Sequence, residues 1–260
     1  MPPETKSKSD RLFDQLRSDI LSLDLAPDAP LRLPALAERY GIGLTPLREC
    51  LNRLASEKLV VPVHNKGFHV APVTVHDLLD LERTRNAIEG SMFAFSVIHG
   101  DDPWEAGVIG SYHQLSNTPV PSGLDSADEL ALWTKRHEAF HEALTAGSPS
   151  IWMHRYAGQI GDQLGRYQRF IQIGLRELAA TDKGVAQNAA KVSAIAMALA
   201  PHTALYDAAL ARDPQAATSA FDAHGELTIS AFAELATMMP AGTPLATGPN
   251  TDGSAAHDHV

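Results

Sequence analysis

Apolar positions in residues 7–23, SKSDRLFDQLRSDILSL, fall at Leu12, Leu16, Ile20 and Leu23, four and three apart. That spacing predicts an amphipathic helix with one buried stripe. The following DLAPDAPLR carries two prolines and breaks it. PALAERYG predicts a short second helix, with Pro34 in its first turn and Gly41 at its stop. In GIGLTPLRECLNRLASEKLVV, Thr45 is the expected N-cap, Pro46 the first helical position, and Leu47, Leu51 and Leu54 the buried stripe. Two β-rich pieces, LVVPV and FHVAPV, flank HNKG. Asn65 and Gly67 are turn formers with Lys66 at the tip, so a hairpin is expected. Helix, helix, turn, helix, hairpin over residues 1–73 is a winged helix-turn-helix arrangement.

From Thr74 onward the period changes from strand-like to helical. VTVHDLLDLERTRNAIEGSMFAFSVIHG is one long helical pattern. DDPWEAGVIGSYHQL, ADELALWTKRHEAFHEALTAG, IWMHRYAGQIGDQLGRYQRFIQIGLRELAA, NAAKVSAIAMALAPHTALYDAALARD and PQAATSAFDAHGELTISAFAELATMM read as further helices. SNTPVPSGLDS and GSPS separate them as loops. The expected fold class is mainly α: the winged head, then an all-helical antiparallel bundle of six or seven helices over residues 74–238. Residues 239–260, rich in Gly, Pro, Ala and Thr, read as a disordered tail.

The chain has 260 residues, room for two domains, and its 44% hydrophobic and 20% charged residues are ordinary for a soluble protein. Apolar runs such as AIAMALA stop well short of the ~20 residues that cross a bilayer, so no membrane partner is expected. The start, MPPETKSKSDRL, has no apolar signal-peptide core. The single cysteine, Cys50, excludes an internal disulfide and fits a reducing cytoplasm. A net charge of −10 argues against nucleic acid until its distribution is considered. Residues 1–76 hold ten Lys and Arg against nine Asp and Glu, a net +1, which leaves −11 for the rest. The front third is the part suited to a polyanion.

HEAFH at residues 137–141 fits H-E-x-x-H, a zinc-protease signature. The metzincin continuation requires Gly and His afterwards, but EALTAG follows, and Glu138 belongs on a different helical face from the histidines. His137 and His141, one turn apart, project from the same face with Cβ atoms about 6 Å apart. Imidazoles suit zinc, nickel, copper or iron better than magnesium or calcium.

LAERYGIGLTPLRECLNRLASEKLV, followed by NKGFHV, resembles the GntR family of bacterial regulators. Leu36, Ala37, Gly41, Ile42, Thr45, Pro46, Leu47, Arg48, Glu49, Leu51, Leu54 and Gly67 occupy positions of its DNA-binding pattern. The helical remainder is similar to the FadR-type ligand domain, the FCD domain. Arg85 with Ile88 and Glu89 fits its R-x-x-[LI]-E, Phe140-His141 its F-H, His202 with Asp213 its spaced H…D, and His224 its last histidine. WTKRHEAFHEAL and GDDPWEAGVI are most similar to the carbon-starvation-induced regulators (CsiR), where glutarate is the effector implied.

The resemblance implies a homodimeric repressor that binds a palindromic double-stranded operator. It also implies a small carboxylate effector held beside a divalent metal ion, zinc or nickel. The implied metal ligands are His141, His202 and His224, with His137 where the family places Asp. A three-histidine site with His137 behind it stays open. Arg85 would bridge the effector carboxylate, with Arg166 and Arg169 for a second carboxylate; ion pairs within or between helices are the alternative for each arginine. Thr45, Arg48, Lys66 and Gly67 are the expected DNA contacts, with Arg32 and Arg53 weaker candidates. The family's Ser-Arg before Thr-Pro is replaced by Gly43 and Leu44, so a reduced base-reading set and a different operator are expected. A metal-sensing regulator and an HExxH metalloenzyme are the other readings.

Overall fold

The computed structural model describes residues 6–65, 67–121, 127–180 and 182–239. It divides into two compact units, Met1–Val73 with Asp162–Phe170, and Thr74–Gly161 with Ile171–Val260. The expected tail at residues 240–260 and the tip residue Lys66 lie outside the described residues.

In the first unit, α1 spans Lys8–Leu21, α2 Leu33–Tyr40 and α3 Leu44–Ser56. Ser7 caps α1 by accepting the Asp10 N–H at 3.1 Å. Leu12, Leu16 and Ile20 are buried as the stripe requires, but the helix ends before Leu23, whose φ is 72°. Pro at the start of α2 and a left-handed Gly41 at its end match the expected punctuation. Helix α3 begins earlier than expected: Gly43 is the N-cap, its carbonyl accepting from Leu47 N at 3.2 Å, so Thr45 and Pro46 lie inside the first turn. Leu47, Cys50, Leu51 and Leu54 close the head's core with Leu12, Leu16, Ile20 and Leu36.

The wing is a three-stranded antiparallel sheet in the order β1-β3-β2, with β1 Pro30–Leu31, β2 Val60–Val63 and β3 Gly67–Val70. The hairpin pairs Val63 with Gly67 and Val60 with Val70. Asn65 and Gly67 both take positive φ, 58° and 84°, which supplies the turn. Strand β1 lies within the segment expected only to break a helix. Its proline is tolerated because β1 is an edge strand, where a missing N–H costs no ladder bond.

In the second unit the described helices are α4 Val75–His99, α5 Asp102–Ser116, α6 Ala127–Thr145, α7 Ile151–Ala179, α8 Lys183–Ala196, α9 Leu199–Leu210 and α10 Pro214–Thr237. Part of α7, Asp162–Phe170, belongs to the first unit. The single helix expected over NAAKVSAIAMALAPHTALYDAALARD is two, broken at Met197–Ala198. Pro201 explains the break, since in a continuous helix it would lack the N–H for Met197 O and its ring would press on that turn. Asp101, Ser150, Asp182 and Asp213 cap α5, α7, α8 and α10 through their side chains. The core joins Phe93, Val97, Trp104, Val108, Leu115, Trp133, Phe140, Leu144, Leu205 and Phe221. No described helix is long and apolar enough to cross a membrane.

Candidate functional site

Helix α6 carries His137 and His141, α9 carries His202 and α10 carries His224. Each helix is aimed by local sequence. Phe140 and Leu144 anchor α6 in the core with no exposure. Pro201 restarts the chain so that His202 stands in the first turn of α9. Asp213 accepts from Gln215 N and Ala216 N and thereby starts α10, which delivers His224. Helices α4 and α10 also pack closely: a Cβ on Gly225 would lie 2.4 Å from Asn86 Oδ1, so a larger residue there would have to displace the Asn86 amide.

One ligand nitrogen from each of the four imidazoles lies within 4.8 Å of the other three. His141, His202 and His224 are 4%, 1% and 5% exposed. His137 is partly buried and stacks on Trp133 with ring centroids 4.7 Å apart. Burial pushes all four pKa values below the usual histidine value, with the neighbouring imidazoles adding to the effect at His137, His141 and His224. Neutral imidazole is the form that ligates a metal.

The donor set fits a transition-metal ion. His202 Nδ1 is 2.9 Å from Ala198 O, which can only accept, so Nδ1 carries the proton and Nε2 offers a lone pair. That Nε2, both nitrogens of His141 and Nδ1 of His224 are buried without a hydrogen-bond partner. Buried polar atoms left so cost about 1–3 kcal/mol each, and an ion shared among them removes that cost. Nitrogens around a tetrahedral zinc stand about 3.3 Å apart, given metal–nitrogen distances of about 2.0–2.1 Å. The observed spread, up to 4.8 Å, is wider, so the rings must draw together to share one ion.

Beside the histidines runs a charged strip on α4. Arg85 Nε donates to Glu89 Oε2 at 3.1 Å, and its Nη1 is 3.9 Å from Glu82 Oε2. Glu89 Oε2 in turn is 3.9 Å from His141 Nδ1. Burial works against the Arg85 charge, but Glu89 and Glu82 outweigh it and raise its pKa. Glu82 is 3% exposed with its Oε1 unpartnered, and burial raises its pKa.

In the head, α2 and α3 form the helix-turn-helix and β2-β3 the wing. Thr45 and Arg48 are exposed on the first two turns of α3, and Gly67 is exposed at the wing.

Residues 8–70 match the family described as "Bacterial regulatory proteins, gntR family", and residues 80–227 match the FCD domain. The chain belongs to the GntR family. It is a DNA-binding transcriptional regulator with an FCD domain, and not an enzyme. It is 33% identical over 225 residues to the uncharacterized HTH-type transcriptional regulator BphR of Paraburkholderia xenovorans, covering 86% of this chain and 85% of that one. It is 36% identical over 157 residues to the HTH-type transcriptional repressor GlaR of Escherichia coli, covering 60% of this chain and 70% of that one. The solved structure of E. coli McbR/YncC shares the fold, with a TM-score of 0.58, 19% identity, and coverage of 88% of this chain and 99% of that one.

Within this GntR-family regulator the structure brings the four histidines together, and the charge of Arg85 reaches each of them. Arg85 also makes the intrahelical ion pairs given above as its alternative. Arg166 and Arg169 serve backbone carbonyls within the first unit. Arg166 is buried, donates through Nη2 to Ala71 O, and is lowered to about 10 by burial. Arg169 Nη1 donates to Leu21 O at 2.9 Å. Both sit on the Asp162–Phe170 stretch of the first unit. Their spacing along α7 gave no hint of this, because the carbonyls they serve lie some 95 and 148 residues earlier in the chain. Arg53 is held by Asp10 at 3.3 Å and lies over the Phe13 ring at 4.0 Å, whereas Arg32 is exposed. Lys66 lies outside the described residues. Glu138 is exposed, although its charge reaches Arg85. Sequence reasoning missed Glu82, Trp133 and Gly225. Only Glu82 left a trace, as an acidic residue on the inward face of α4 three positions before Arg85.

Proposed function

We propose that this regulator is a cytoplasmic homodimeric repressor whose operator affinity is set by a small carboxylate bound beside a metal ion in the FCD domain. The carrying observation is the buried four-histidine cluster with its unpartnered ring nitrogens. His137, His141, His202 and His224 would hold a divalent ion, zinc or nickel, which supplies a cationic centre for an anionic ligand. Arg85 adds a guanidinium for the same carboxylate. Because Glu82 and Glu89 already flank Arg85, an entering carboxylate must displace or share one of those contacts, which ties binding to movement of α4.

On the DNA side, Thr45 and Arg48 would meet base edges and phosphate in the major groove, with Lys66 and the Gly67 backbone against the neighbouring backbone or minor groove. Two half-sites one helical turn apart would form a palindrome. Repression is favoured by the name of the E. coli relative, a transcriptional repressor. Effector binding releases DNA by favouring a dimer geometry in which the two recognition helices no longer match successive grooves. The test is a gel-shift titration of the metal-loaded protein with glutarate and related dicarboxylates. Release at one chain length supports the reading, and unchanged operator affinity across the series overturns the effector class.

One observation favours a second reading. Four imidazoles complete a tetrahedral ion without help from a ligand, as expected where the ion itself is the signal. Stripping the metal separates the two: lost effector response alone supports the carboxylate reading, and changed DNA affinity with no effector supports metal sensing.

A further inference from the structure

The first residue of α3 is a leucine that the head does not use. Leu44 is 48% exposed and takes no part in the head's core cluster or in the hydrophobics packed against it. Helix α3 buries Leu47, Cys50, Leu51 and Leu54, while Leu44, at the helix's first position one turn before Arg48, stays outside that packing. A lone exposed leucine needs no explanation on an ordinary surface. On the opening turn of the second helix of a helix-turn-helix it does, because that turn enters the major groove and its side chains face base edges.

The residue before it supports the same conclusion. Gly43 has φ −73° and ψ 159°, a backbone that any residue adopts, and a Cβ there would meet nothing nearer than Pro46 Cδ at 3.7 Å. Neither conformation nor packing demands glycine. Its effect is to leave the start of α3 without a capping side chain beside the exposed Leu44.

We infer that Leu44 is a specificity-determining residue that reads the 5-methyl group of a thymine in the operator. The chemistry is restricted. Leucine has no donor or acceptor, so it discriminates only through the one apolar feature of the major groove, the thymine methyl. Leu44 and Arg48 have Cβ atoms about 6 Å apart, so the thymine falls within about two base pairs of the base that Arg48 faces. This inference rests on reading α3 as the base-reading helix.

The experiment selects operators from a random duplex pool with the full-length protein, then measures affinity for the selected site with each thymine replaced by deoxyuridine. Removing the methyl at one thymine per half-site is expected to weaken binding about fourfold, the worth of one buried methyl group. Leu44→Ala is expected to bind thymine and deoxyuridine sites equally while keeping its melting temperature, and Leu44→Arg to exchange the preferred thymine for guanine. If every deoxyuridine site binds the wild type as tightly as the thymine site, the inference fails. It fails equally if Leu44→Ala keeps the methyl preference. If Arg48→Ala also leaves the selected sequence unchanged, the reading of α3 falls as well, which separates the two failures.

Discussion

Each unit buries a polar side chain at its centre, and the two are treated oppositely. In the head, Asp19 is 4% exposed and accepts from Gln15 Nε2 at 2.7 Å, Arg39 Nη2 at 2.9 Å and Tyr40 OH at 2.6 Å. Its own chain satisfies it, and it ties α1 to α2. In the FCD domain, His141 is equally buried and neither ring nitrogen has a hydrogen-bond partner. The first pattern is that of a group retained for structure. The second is that of a group retained at a cost to stability, which the proposed ion would relieve.

The contrast is sharpest in His141→Leu. Loss of one of the four proposed ligands is expected to lower metal affinity about two- to threehundredfold, roughly a quarter of the binding free energy of a structural zinc. The same change removes an unsatisfied buried imidazole, so the metal-free protein is expected to gain about 1 kcal/mol. Isothermal titration and urea unfolding of the metal-stripped protein measure the two. A variant both weaker for metal and less stable without it would erase the distinction.

Asp19→Ala probes the other side. It leaves the Tyr40 hydroxyl and two nitrogen donors without their acceptor and is expected to destabilise the head by about 3 kcal/mol. No metal dependence is expected, and denaturant melts with and without metal check it.

Acid should act on the histidines. Their folded pKa values lie below the ordinary 6.5. Below that value the unfolded chain therefore takes up protons that the folded chain refuses. Stability of the metal-stripped protein is expected to be level above about pH 7 and to fall beneath it, by up to about 1.4 kcal/mol per pH unit for each histidine still neutral in the fold. Unfolding free energies at pH 7.5 and 5.5 test the sign.

The smallest effect compares two arginines of α3. Arg48 is exposed, while Arg53 is held by Asp10 and Phe13. Arg48→Ala is expected to cost about tenfold in operator affinity, and Arg53→Ala less than about threefold. Fluorescence anisotropy on the selected operator resolves the difference.

How much of this could be read from the sequence depends on the range of the interaction. The stripe of α1, the Gly41 stop and the Asn65–Gly67 turn are set by neighbouring residues, so period and punctuation reveal them. His137 and His141 announce themselves because one helix brings both to one face. Nothing local connects them with His202 and His224; only the family resemblance did. The errors have the same origin. Pro30 read as a helix breaker because its pairing with His69 in β3 spans the whole helix-turn-helix. Arg166 and Arg169 read as candidates for a second carboxylate, or for ion pairs, because their carbonyl partners are tertiary. The unpartnered oxygen of Glu82 is a property of the packed interior, which no periodicity contains.

The most direct test of the central claim is X-ray absorption at the metal edge of the protein loaded with one equivalent of zinc or nickel. Scattering from three or four imidazoles around a single ion, reduced in His202→Ala and in His224→Ala, is the expected result. An ion surrounded by oxygen alone, with a spectrum unchanged in both variants, would contradict it.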